Sequence, residues 1–340
     1  MRGGPLRIAR RFLTRPLRPA VVIPVHNDAE GLARLLARIR AMGCFSQIVV
    51  VDDGSDIPVP AAPDLRLRRH PQSRGGGVAR NTGLAAVRAR HVMFLDADDL
   101  PTRALADLLA DLGGAGRGRA AFDFCLFKHA DSRVSAEGLW GQPDWDERFW
   151  QEAGLSVGAL RAAPRAAWPL LAQTANYPWN KVYRTDFLRR NRIGCAETEV
   201  HQDIPLHWLG FLAARRILVS DRVGVWHGVS AAGDRLTNRA GPERLQMFAA
   251  LDPVAEAVAQ SGDPAWQAAL AGFVLGLADW GAARIDRALR ADLRAAERGW
   301  LDRVTGGWQG AIAERDADLA ARLRARIAGR DLDEGGGDRA

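Results

Sequence analysis

Cysteine, lysine and long apolar runs are scarce in this chain, and each scarcity removes a class of protein. Its three cysteines, Cys44, Cys125 and Cys195, are odd in number, far apart and outside any metal-binding spacing. Neither a disulfide framework nor a zinc module is therefore expected, and the three read as buried thiols of a reducing cytoplasm. The most apolar late stretch, residues 268–285, is interrupted by Asp279 and Arg284, so it reads as a core helix and not as a membrane span. Arg10 and Arg11 give the outline of a twin-arginine signal, but Pro16, Arg18 and Pro19 break the apolar region such a signal needs. Export is not expected. Only Lys128 and Lys181 are lysines among 47 basic residues, which marks both as kept against an arginine bias.

Charge is unevenly spread. The formal net charge is +7, and residues 1–19 carry Arg2, Arg7, Arg10, Arg11, Arg15 and Arg18 with no acid. The rest is close to neutral, which argues against a broad nucleic-acid-binding face. Two readings of the tail stay open, a solvated flexible segment or a peripheral contact with the anionic inner face of a membrane. Apolar content of 47% and charged content of 26% are those of an ordinary folded protein with room for a substantial core.

The first half alternates strand and helix signals. Residues 20–25 form a continuous apolar run suited to a parallel strand covered on both faces. Asn27 and Glu30 then stand at capping-box spacing before Leu32, Leu35, Leu36, Ile39 and Met42, which recur with helical period. Residues 47–55 read as a second strand, Leu65–His70 as a short third, and 75–89 as a glycine-rich loop turning into a helix. Residues 91–95 are the next strand, and Pro101–Leu112 the next helix. This order predicts an α/β fold with a mostly parallel sheet and helices on both faces. Residues 120–129 read as another strand, 179–191 and 203–214 as helices, and 216–220 and 223–229 as two short strands. Beyond about 240 the pattern is helical, and the last residues read as a frayed end.

Two acidic turns stand out, Asp52-Asp53 and Asp96–Asp99. Carboxylates this close repel one another unless a cation or a hydrogen-bond network holds them. A bland alternative is that Asp99 or Thr102 caps the helix that Pro101 opens. Both turns, however, lie where predicted parallel strands end, which is where open α/β sheets bind ligands.

Four blocks, residues 21–27 (VVIPVHN), 49–55 (VVVDDGS), 77–84 (GVARNTGL) and 94–99 (FLDADD), resemble in order and spacing the family 2 glycosyltransferases of GT-A fold. The resemblance covers 20–112 well and runs more weakly through 179–188 and 201–203 to about 230. It implies a nucleotide-diphosphate sugar donor, most often uridine-based, and a divalent cation, Mn²⁺ or Mg²⁺. By that resemblance Pro24, Val25 and Asn27 would line the nucleotide pocket, Asp53 would meet the base, and Asp52 would support its turn. Asp98 would bind the metal, Asp96 the ribose or the metal's waters, and Asp99 would support the metal or cap the helix. Arg80 would either anchor the nucleotide or brace the acidic turn, and Lys181 would lie near phosphate or acceptor. His227 would complete the metal shell. Asp203 would be the base that accepts the acceptor's proton; a helix N-cap is its alternative role, and Glu197 and Glu199 are rival bases. Gln202 stands where the family has Glu.

The implied division is a basic tail at 1–19, a nucleotide-sugar half at 20–115, an acceptor half at 116–238 and a helical C-terminal region at 239–335. The implied activity is metal-dependent, inverting and non-processive transfer to a glycan or lipid-linked acceptor, as in cell-surface polysaccharide synthesis. The Gln202 departure leaves a non-catalytic nucleotide-sugar or glycan-binding protein as the alternative. A nucleotidyltransferase is disfavoured, because no basic glycine-rich loop follows the first strand.

Overall fold

The computed structural model describes residues 15–115, 121–136, 139–158, 160–228 and 239–330. The basic tail to residue 14, residues 116–118 and the last ten residues lie outside the described residues. Arg18, the end of that tail, is anchored: its Nη2 donates to the carbonyls of Gly43 and Phe45 at 3.0 and 3.1 Å.

Among the described residues nine strands form one sheet: β1 (Ala20–Val25), β2 (Gln47–Asp52), β3 (Leu65–Arg69), β4 (His91–Phe94), β5 (Leu100–Pro101), β6 (Phe124–Asp131), β7 (Arg161–Ala162), β8 (Lys181–Arg184) and β9 (Ile217–His227). Their order is β3-β2-β1-β4-β8-β6-β9-β5, with β7 paired to β9. The first four neighbours run parallel, as the alternation of strand and helix requires. Antiparallel pairing enters with β8, which joins β4 to β6.

Alternating side chains of β1 and β2 point to opposite faces. Val21, Ile23 and Val50 meet the helices Ala29–Met42 and Arg103–Ala115, while Val22, Val49 and Val51 belong to the other face, with the helix Gly76–Ala86. The C-terminal helices share this second core: Leu251, Leu270, Val274 and Leu301 are buried in the cluster that contains Val22 and Trp208. The helix Pro264–Ala282 is the apolar segment expected to be core, and no described helix is long and apolar enough to cross a membrane.

Several sequence expectations are corrected. Asp28, not Asn27, caps the first helix, accepting from Gly31 N–H at 2.9 Å; Glu30 points outward and closes no capping box. Pro101 does not open a helix. It pairs as an edge strand with Val225, and the helix starts at Arg103. Residues 181–184 are a strand, leaving Thr185–Arg190 as the helix. The two short strands expected near 216–229 are the single strand β9, whose register against β6 slips at Lys128 and His129.

Candidate active site

The carboxyl ends of β1, β2 and β4 open on one side of the sheet. Pro24 pairs with Val51 and Val25 with Asp52, so the first expected pocket segment lies against the first acidic turn. Asn27, with φ 53°, takes the left-handed conformation that asparagine tolerates, and exchanges two hydrogen bonds with Asp56, at 3.1 and 2.9 Å.

Asp52 and Asp53 are both buried and do different work. Asp52 accepts from the N–H groups of Ser55 and Val59 and from Arg69. Asp53 accepts from His70 Nδ1 at 2.6 Å, Ser73 Oγ at 2.8 Å and the N–H groups of Arg74 and Gly75. Burial pushes the pKa of each up, yet these hydrogen bonds outweigh it and hold both below the usual carboxylate range. Asp53 thus shapes the 70–75 loop that leads into the helix Gly76–Ala86. His70 and Ser73 gave no legible signal in the sequence.

Asp99 resolves the crowding of the second turn. Fully buried, it accepts from Asp96 N–H at 3.0 Å through Oδ2 and pairs with His227 Nδ1 at 3.0 Å through Oδ1. Burial pushes its carboxyl up to about 7 against the pull of His227, and the negative charges of Asp96 and Asp98 add to the rise. It therefore closes the turn and caps no helix. His227 stacks on Trp179 with centroids 4.9 Å apart. Burial lowers the pKa of His227, but its bond to Asp99 prevails and leaves it above the ordinary histidine value.

Arg80 reaches both halves of the molecule. Its Nη2 donates to Asp96 Oδ1 at 2.5 Å and its Nη1 to Asp203 Oδ1 at 3.1 Å. Of its two expected roles, the geometry displays the brace of the acidic turn. Asp203 precedes the helix Ile204–Ala213 without capping it by its side chain. Its Oδ1 instead takes Arg80 and the Cys195 thiol, the latter at 3.4 Å, while Oδ2 makes no hydrogen bond among the described residues. Burial raises the carboxyl's pKa, opposed by Arg80. The side chain keeps 22% of its surface exposed.

The rival carboxylates lie elsewhere. Glu199 is bound by Arg239 and Gln246, and Glu197 is exposed. Lys181 is not presented to a ligand: it is fully buried, and its Nζ donates to Tyr177 O and Asn180 Oδ1, both at 2.6 Å. Burial pulls its pKa down to about 7, although Asp146 and Asp203 pull the other way. Lys128, the other lysine, is also buried and pairs with Glu147 at 2.7 Å. His201 packs edge-on to Trp280. Trp179 is core, whereas Trp140 and Trp145 are exposed.

The glycine run is a helix start packed against the Asp203 segment. A Cβ on Gly77 would lie 2.2 Å from Ala196 O and 2.8 Å from Gln202 Cβ. Gln202 is buried there, so its exchange for Glu places a neutral amide under the helix N-terminus.

Among the described residues no three His, Cys, Asp or Glu side chains form a ready-made metal cluster. The donor set still fits a hard cation that takes part of its shell from substrate. Asp98 sits on the turn, and His227, held at Nδ1 by a carboxylate, is oriented to offer Nε2. Asp96, engaged by Arg80, fits a contact through water better than a direct one.

The sheet thus carries two acidic turns at its strand ends, the second joined through Arg80 to Asp203 on the far segment. Residues 20–117 match the model of Glycosyl transferase family 2. The pre-mycofactocin glycosyltransferase of Mycobacterium tuberculosis is 46% identical over 89 residues, covering 24% of this chain and 18% of that protein. The succinoglycan biosynthesis protein ExoO of Rhizobium meliloti is 36% identical over 85 residues, covering 23% and 24%. The chain thus spans less than a quarter of either relative. Among solved structures, S. aureus TarS 1-349 in complex with UDP-GlcNAc superposes with a TM-score of 0.68 at 18% identity, covering 92% of this chain and 89% of that one. That likeness places the fold in the GT-A class.

Proposed function

We propose that the protein is a metal-dependent, inverting glycosyltransferase that moves a sugar from a nucleotide-diphosphate donor, a UDP-sugar by preference, to a glycan or lipid-linked acceptor. The observation that carries this reading is the state of Asp203. Two donors converge on its Oδ1, Oδ2 is left without a hydrogen bond among the described residues, and the same arginine that holds it also holds Asp96. The solved relative TarS binds UDP-GlcNAc, and a mannosyltransferase from Pyrobaculum calidifontis, a weaker structural match with a TM-score of 0.50, binds GDP-Man and Mn²⁺.

In this reading the crevice beside Pro24, Val25 and Asn27 takes the nucleoside, with Asp53 and its loop at the base. Asp98 and His227 would hold Mn²⁺ or Mg²⁺, and Asp96 would serve ribose or a water bound to the ion. The ion, when bound, offsets charge on the departing diphosphate. The acceptor hydroxyl gives its proton to Asp203 Oδ2 as its oxygen attacks the anomeric carbon. The bond from that carbon to the diphosphate oxygen breaks with its electron pair leaving on phosphate, and the configuration inverts. Burial raises the proton affinity of Asp203, which suits a base, while the charge of Arg80 opposes the rise.

A panel of UDP-, GDP- and dTDP-sugars, with Mn²⁺ and with chelator, tests the reading by thermal shift and by nucleotide release. Metal-dependent stabilisation accompanied by turnover of at least one donor is the expected result. Binding without any turnover would instead make the chain a nucleotide-sugar-binding protein.

A further inference from the structure

Asn81, next to Arg80 in the third sequence block, reads in sequence as a packing residue, but in the structure it grips a cysteine. Its Nδ2 donates to Cys195 O and its Oδ1 accepts Cys195 N–H, both at 2.9 Å. The reciprocal pair fixes the cysteine's main chain to the helix Gly76–Ala86. The residue before it must be glycine for this approach, because a Cβ on Gly194 would lie 2.7 Å from Asn81 Oδ1.

So held, the buried thiol reaches Asp203 Oδ1 at 3.4 Å, a normal span for a sulfur donor. An ionised carboxylate only accepts, so the S–H must be the donor in this contact. It falls on the oxygen that already takes Arg80. We propose that Cys195, clamped by Asn81, is a positioning residue for Asp203: its S–H and Arg80 together pin Oδ1 and turn Oδ2 toward the acceptor. This rests on the reading of Asp203 as the base.

A thiol is a weak donor, so the effect on rate is modest and separable from folding. Cys195 also lines a cavity of about 710 Å³ with Asn81, Arg189, Arg192 and Pro205, and that lining includes none of Arg80, Asp96, Asp98 and Asp203. A small alkylating reagent that enters this cavity approaches the Cys195 segment without crossing the donor site.

Two measurements test the inference. The first needs no substrate: the alkylation rate of Cys195 by iodoacetamide at pH 8, followed by peptide mass, in wild type and Asp203→Asn. The thiolate is the reacting form, so removing the carboxylate charge should raise the Cys195 rate about threefold or more and leave Cys44 unchanged. An unchanged Cys195 rate overturns the contact. The second is kcat and KM for nucleotide release from UDP-GlcNAc, UDP-Glc or UDP-Gal, whichever wild type turns over. Cys195→Ala should lower kcat about three- to tenfold with KM within about twofold, and Cys195→Ser, which keeps a donor, should recover most of the loss. Equal kcat losses in Ala and Ser variants, or none in Ala, overturn the role. Transfer by Asp203→Asn at the wild-type rate would defeat the base reading itself, whereas an inactive Asp203→Asn beside a fully active Cys195→Ala defeats this inference alone.

Discussion

Arg80 and Asp203 lie 123 positions apart in the chain and meet at 3.1 Å, and the second arm of the same guanidinium meets Asp96 at 2.5 Å. One buried cation thus joins the second acidic turn to Asp203 and ties the two sides of the cleft together. Its proton is held far more firmly than in free arginine, because the two carboxylates overcome the cost of burial. Truncating one partner of such a network leaves charges uncompensated. Arg80→Met should lose on the order of 3 kcal/mol of stability in urea denaturation, with transfer activity falling too. Arg80→Lys should recover less than half, since a point charge cannot serve two carboxylates as a fork does. A Met variant as stable as wild type would remove the bridge as a structural element.

Asp98 and Asp203 should separate binding from chemistry. Asp98→Ala should abolish the Mn²⁺-dependent part of UDP binding in calorimetry, because neither neighbour can take its place: Asp96 serves Arg80 and Asp99 serves His227. Asp203→Asn should bind UDP as wild type does, yet transfer about 10²- to 10⁴-fold more slowly, the range typical of a lost general base. Normal transfer by the Asn variant would send the search for the base elsewhere.

The local part of this site was legible and the long-range part was not. Strand ends at Asp52 and near Asp96 follow from apolar runs meeting polar turns, so both acidic turns could be placed before any coordinates. Which acid does what could not be read so. Asp99 is recognisable as the turn's internal brace only once His227 arrives from β9, and Asp203 ceases to be a plausible cap only when its carboxylate is seen on Arg80. Lys181 misled for a related reason. Its retention against arginine was a real signal, but the constraint is burial: a compact amino group fits where Tyr177 O and Asn180 Oδ1 accept from it. Cys195 carried no signal at all, since a lone cysteine in sequence says nothing about the oxygen it will meet.

The burial of Lys181 also fixes a pH dependence. Its pKa falls from 10.5 in the free side chain to about 7 in the fold, burial being the cause. A depressed lysine contributes stability above the unfolded value, and this is lost as pH falls through the folded one. Between about pH 7 and 10.5 the unfolded chain binds the extra proton, so wild-type stability should rise with pH. The slope approaches about 1.4 kcal/mol per unit for one proton. Lys181→Met should flatten this rise when urea midpoints are compared at pH 7, 8 and 9. Parallel curves for the two proteins would place the titration elsewhere.

The last prediction concerns Gly77, which looks in sequence like one of three interchangeable loop glycines. Gly75 needs its freedom of backbone, with φ at 88°, but has open space for a side chain; the obstacle at Gly77 is the opposite one. A methyl there would press on Ala196 O at 2.2 Å, and a backbone oxygen cannot rotate away as a side chain would. Either the helix Gly76–Ala86 or the segment 195–203 must shift, and both carry parts of the site: Arg80 and Asn81 on one, Cys195 and Asp203 on the other. Gly77→Ala should therefore cost about 1–3 kcal/mol, the usual penalty for overpacking. It should also lower kcat by more than its stability loss explains at temperatures where the variant is still fully folded. Gly75→Ala, strained but uncrowded, should cost stability and leave kcat near wild type. If both variants lose activity only in proportion to unfolding, the contact between the glycine run and the Asp203 segment has no part in placing the base.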